Sequence, residues 1–146
     1  MDDRYLFKAK RIDNGEWVQG VPFEIEGKTI ILIKDNENLL RTHYLEENMW
    51  TAEIYAIEVD PSTICRCTGL KDKNGKLIWE NDIMVAHLDD DYPEDETYIR
   101  ILWHGSGFCS KEKGSEDMPQ VDEFDQEHFE VIGNIFDNPE LLESEE

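Results

Sequence analysis

Turn-forming steps cut this chain into apolar runs too short for helices. Asp13-Asn14-Gly15, Glu26-Gly27, Asn74-Gly75 and Gly105-Ser106-Gly107 each set residues that tolerate positive φ between alternating or β-branched stretches. A helix needs a periodic apolar stripe over about ten or more residues, and these breaks forbid one along most of the chain. The runs read as strands instead. Residues 4–10, 16–21 and the β-branched segment Thr29-Ile30-Ile31-Leu32-Ile33 form a three-stranded meander joined by the first two turns. Residues 52–59 set Ala, Ile and Val among charged neighbours, as a half-buried strand does, until Asp60-Pro61 ends the run.

Asn74-Gly75, placed between Leu70 and Leu77-Ile78-Trp79, is the strongest hairpin signal. Further short strands are expected at 83–86, 98–103, 108–109 and 131–136, the last broken by Asn138-Pro139. Helical spacing is confined to two places. Leu45 and Met49 stand four apart with Thr42 able to cap, which predicts a brief helix within 35–48; Val121, Phe124 and His128 predict another. The expected fold is mainly β, with short antiparallel strands forming a small barrel or sandwich and one or two short helices.

Length and aromatic content decide that such a fold has a core. A chain of 146 residues with four Trp, six Phe and five Tyr fits one domain without disulfide staples. We expect a single domain over 1–146, with 1–50 as the meander, 51–142 as the barrel-like core and 143–146 as a fraying acidic tail.

Charge narrows the partners. The net charge is −21, and it is uneven: residues 1–86 hold 16 acidic and 11 basic side chains, whereas residues 87–146 hold 19 and 3. Such a field repels nucleic-acid phosphates and anionic membranes and attracts basic proteins at low salt. The longest apolar run is a strand's length, far short of the ~20 residues of a membrane helix. Three cysteines without a framework spacing, and a Met1-Asp2-Asp3-Arg4 start without an apolar leader, predict a cytoplasmic protein.

Candidate reactive groups do not converge in the sequence. Cys65-x-Cys67 puts two thiols on one face of a strand, but a zinc site wants four ligands, and only Cys109, His43, His87, His104 and His128 could complete it. Buried free cysteines are the preferred reading. Trp103-His104-Gly105-Ser106-Gly107 places a His near a Ser but lacks the Gly-x-Ser-x-Gly elbow, so a hairpin turn is preferred. Asp89-Asp90-Asp91 and Glu94-Asp95-Glu96 could gather a hard cation, yet they lack EF-hand spacing and read as a solvated acidic loop. No catalytic, cofactor-binding or metal residue is expected.

Two stretches resemble the YopX family of phage and prophage proteins. One runs Val59-Asp60-Pro61-Ser62-Thr63-Ile64-Cys65-Arg66-Cys67-Thr68-Gly69-Leu70-Lys71-Asp72-Lys73-Asn74-Gly75-Lys76-Leu77-Ile78-Trp79-Glu80-Asn81-Asp82-Ile83, similar to the family's Thr-Gly-Leu, an Asp before a Gly turn, an aromatic, and Glu-Gly-Asp-Ile. The other is Phe129-Glu130-Val131-Ile132-Gly133-Asn134-Ile135-Phe136-Asp137-Asn138-Pro139-Glu140-Leu141-Leu142, similar to its closing signature. A weaker match joins Phe7-Lys8-Ala9-Lys10 and Gly15-Glu16-Trp17-Val18-Gln19-Gly20. Asn81 departs from the family's usual Gly, and Cys65 and Cys67 from its usual Gly and aromatic; Asn still tolerates positive φ. The resemblance implies a mainly β fold with a small SH3-like barrel, carried by bacteria and their phages, with no established activity and no catalytic residues to transfer.

The expectation is therefore a non-enzymatic binding or assembly module with a protein partner, able to form a homo-oligomer, with no direct nucleic-acid or membrane contact. An alternative from another class is an acidic DNA mimic that blocks a host DNA-binding protein. A small hydrolase or nuclease is the third reading, and no residue pattern supports it.

Overall fold

The glycines and asparagines of the turns do what their chemistry allows. In a computed structural model describing residues 6–33, 40–54, 56–88, 91–92 and 94–143, the left-handed positions include Gly15, Glu26, Gly27, Asn48, Gly75, Asn81 and Gly105. The strands that these turns join are short and antiparallel throughout. They fall into two compact units, one over residues 6–66 and the other over 67–143 of the described chain.

In the first unit, β1 (Phe7–Lys10), β2 (Trp17–Ile25) and β3 (Lys28–Ile33) form the expected meander. Glu26 and Gly27, at φ 52° and 79°, close the β2–β3 hairpin with Ile25 opposite Lys28. Such a two-residue turn with both residues at positive φ matches the twist of the flanking strands. Ala9, Ile31 and Val59 are fully buried and pack with Val18 and Ile64. Gly20 is buried where β2 crosses β3, and a Cβ there would lie 1.8 Å from the Leu32 carbonyl oxygen.

The structure corrects the brief helix placed within 35–48. Residues 34–39 lie outside the described residues; beyond them run β4 (Leu40–Glu46) and β5 (Met49–Ile54), paired as a hairpin. Asn48 at φ 62° makes the turn, so the four-residue spacing of Leu45 and Met49 spans a hairpin bend and not a helical turn. The half-buried strand read over 52–59 also divides. Its first part belongs to β5, while β6 (Ala56–Glu58) adds to β3. Asp60 then caps a 3-10 turn at Pro61–Thr63, accepting the Ser62 N–H at 3.0 Å.

β7 (Cys65–Lys71) begins in the first unit against β1 and continues into the second, where it pairs with β8 (Leu77–Trp79). The second unit adds an open four-stranded sheet in the order β11-β10-β9-β12, formed by β9 (Asp82–Ala86), β10 (Thr97–His104), β11 (Gly107–Glu112) and β12 (Glu130–Asn134). Ile78, Met84, Ala86, Ile99, Ile101 and Phe129 make its core. Helix α1 (Glu123–His128) sits where helical spacing is read, opened by a reciprocal capping box between Asp122 and Asp125. The fold is mainly β with one short α-helix among the described residues. No described helix is long and apolar enough to cross a membrane.

Candidate functional site

Chain reversal in the second unit gathers carboxylates that lie far apart in sequence. The loop after β9 carries Glu94, Asp95 and Glu96, and a 3-10 turn at Pro139–Leu142 brings Glu140, with Glu143 just beyond it, to the same hollow. Its volume is about 890 Å³. Tyr98 of β10, Lys113 just past β11, and Leu141 complete the lining. The Tyr98 hydroxyl donates to Glu96, and the Lys113 ammonium stands 5.6 Å from the Tyr98 ring centroid, within cation–π range. His87 Nε2 lies 3.9 Å from the other Glu96 oxygen. Five carboxylates against one lysine leave the hollow strongly negative, a surface suited to a cationic partner.

Of the acidic loop singled out in the sequence, Glu94, Asp95 and Glu96 line this hollow, Asp91 is exposed nearby in the chain, and Asp89 and Asp90 lie outside the described residues. Glu140 and Glu143 carried no signal, since only the return of the chain after β12 brings them there.

The other candidates stay dispersed. Cys65 and Cys67 are buried on one face of β7, at 1% and 2% exposure, and the Cys65 thiol donates to the Thr63 carbonyl at 3.3 Å. Cys109 is also buried, its sulfur directed at the carbonyl oxygens of Gly107 and His104. His104 and Gly107 form the last pair of the β10–β11 hairpin, with Gly105-Ser106 as its turn. The His128 ring bonds the Phe124 carbonyl at 2.9 Å and stacks on the Phe124 ring. The side chain of His43, on β4, lies outside the described residues. Among the described residues no three of His, Cys, Asp and Glu stand close enough to hold a metal ion.

A second hollow, of about 300 Å³, lies against α1 and is lined by Thr97, Ser110, Asp117, Asp125 and Phe129 among others. Burial holds the Asp125 carboxyl above the usual carboxylate range, against the opposing pull of the Asp122 backbone N–H.

A family model described as YopX protein matches residues 6–143. The chain belongs to the YopX family. A solved structure from Enterococcus faecalis, protein EF1440, shares its fold with a TM-score of 0.62 at 24% identity, covering 94% of this chain and 96% of that one. A search of curated proteins found no match.

The YopX signature residues of this chain are the joints of its second unit. Thr68 donates from its hydroxyl to the Ile78 carbonyl at 2.7 Å and accepts from the Leu70 N–H. The Asp72 carboxylate takes three backbone N–H groups, those of Asn74, Lys76 and Val131, each at 2.9 Å. Asp82, 2% exposed, accepts the Trp79 N–H at 2.7 Å. Asn81 adopts φ 73° in place of the family's Gly, and its side-chain oxygen accepts from Arg100. Asn134 accepts from Phe136 and Asp137, and Asn138 packs so closely that a Cβ on Gly133 would sit 2.3 Å from its Oδ1. Buried polar groups cost free energy unless bonded, and these spend their capacity on holding turns and strand ends.

Proposed function

We propose that this YopX-family chain is a non-enzymatic binding module of phage or prophage type, whose second unit offers the acidic hollow to a basic protein partner. One observation carries the reading: Glu94, Asp95, Glu96, Glu140 and Glu143 come from separate segments to line one concave surface. The commitment of Thr68, Asp72, Asp82 and Asn134 to backbone hydrogen bonds supports a scaffold role for the signature. In a narrower form, the partner is a DNA-binding protein and the carboxylates stand in for phosphates.

The test uses the full chain as bait in host lysate across a salt series, beside a variant with those five carboxylates changed to amides. A basic partner should be released as salt shrinks the Debye length from about 10 Å at 0.1 M to about 3 Å at 1 M, and the variant should not capture it. Capture that ignores both salt and the five substitutions refutes the reading. Competition by duplex DNA supports the narrower form, and light scattering of the bait alone reads self-association.

A further inference from the structure

Residues 87–146 hold three basic side chains against nineteen acidic ones, and all three basic groups line a single hollow. Arg100 on β10 pairs directly opposite Lys111 on β11, and Lys113 follows two residues on, its N–H bonded to the Tyr98 carbonyl at 2.9 Å. The hollow measures about 250 Å³. Like charges opposite one another on a sheet are destabilising, and in so acidic a segment each cation could be expected to sit against a carboxylate. None of the three forms an ion pair with a described residue. Glu112 and Glu116 share the lining but point to solvent as exposed residues, whereas the three cations are half-buried.

The arginine is also held in a fixed place. Asn81 Oδ1 accepts from its Nη2 at 2.9 Å and pins the guanidinium, while its Nε is buried with no hydrogen-bond partner among the described residues. A half-buried guanidinium that makes no ion pair with a described residue favours an anion beside it. Arg offers a planar fork and Lys a mobile point charge, a combination suited to the oxygens of one small oxyanion.

We propose that Arg100, Lys111 and Lys113 form a binding site for a phosphate or carboxylate group on a small ligand, set inside an otherwise acidic unit. Lys113 lines this hollow and the acidic one alike, and different ligands test the two readings, an inorganic anion here and a basic protein there. Its test is a titration of the full chain with inorganic phosphate at constant ionic strength maintained with chloride, followed by the amide resonances of residues 100 and 111–114. Saturable shifts confined to these residues are expected, and Lys111→Gln with Lys113→Gln should weaken binding by about tenfold or more. A thermal melt of the double variant checks that it is folded, so lost binding is read on a folded chain even where Arg100→Gln does not fold. A parallel titration with acetate assigns the group: saturation by phosphate alone marks a phosphate site, and saturation by acetate a carboxylate site. If neither ion shifts these resonances more than chloride does, or the double variant binds phosphate as tightly as the parent, the proposal is wrong.

Discussion

Removing the Asp72 carboxylate should loosen the second unit at a definable place. Asp72 is 6% exposed; its Oδ1 accepts from Asn74 and Lys76 inside the β7–β8 loop, and its Oδ2 reaches Val131 on β12. A hydrogen bond to a charged group contributes about 1.5–3 kcal/mol. The two loop N–H groups can turn to water after Asp72→Ala, so they account for about 1 kcal/mol together. The Val131 N–H is tied into a strand and regains less, costing about 2 kcal/mol. The sum, about 3 kcal/mol, corresponds to a fall in Tm of about 6–12 °C for a chain of this size. Asp72→Asn keeps one acceptor oxygen, enough for the loop pair but not for Val131, and should cost about 2 kcal/mol. Urea unfolding measures the loss, and amide hydrogen exchange locates it: Val131 should lose protection in both variants, Asn74 and Lys76 mainly in Asp72→Ala. An Asp72→Ala protein within about 0.5 kcal/mol of the parent, with Val131 exchange unchanged, would refute the assignment of this carboxylate as the tie between loop and strand.

Other consequences are equally concrete. Gly20→Ala sets a methyl 1.8 Å from the Leu32 carbonyl oxygen, so it should destabilise the first unit by about 3 kcal/mol or prevent its folding; loss of exchange protection in β2 and β3 with β9–β12 retained would show the damage is local. Burial raises the Asp125 carboxyl above its unfolded value, so its neutral form is favoured in the fold, and that stability, fully present below the ordinary Asp range near pH 4, is lost as pH rises through the folded value. Asp125→Asn should therefore stabilise the protein at pH 7 by less than about 1 kcal/mol, because the site is only half-buried, and leave it unchanged at pH 3; equal effects at both pH values would contradict the burial argument. The three cysteine thiols, all buried, should react slowly with an aromatic disulfide reagent in the native chain and rapidly in guanidinium; fast labelling of any in the native state would show that its cover opens readily.

Chemistry that acts within a few residues was legible before any fold was known. Asn and Gly accept positive φ wherever they stand, so the turns at Asn14-Gly15, Gly27 and Gly75 could be placed without knowing what surrounds them, and Asn81 could be trusted to bend where its family has glycine. The same holds for α1, which forms where Val121, Phe124 and His128 give helical spacing. The acidic balance of residues 87–146 was also plain, because charge is counted, not folded. Features that depend on which strand lies beside which had to wait for the fold. Leu45 and Met49 look helical in sequence and belong to a hairpin, since side-chain spacing alone cannot tell a turn of helix from a bend between paired strands. Arg100 and Lys111 become neighbours only through the β10–β11 register, and Glu140 joins Glu94 only because the chain doubles back after β12. Local conformation is set by each residue's own sterics, whereas a site is assembled by packing contacts between residues tens of positions apart, and no short window of sequence carries that information.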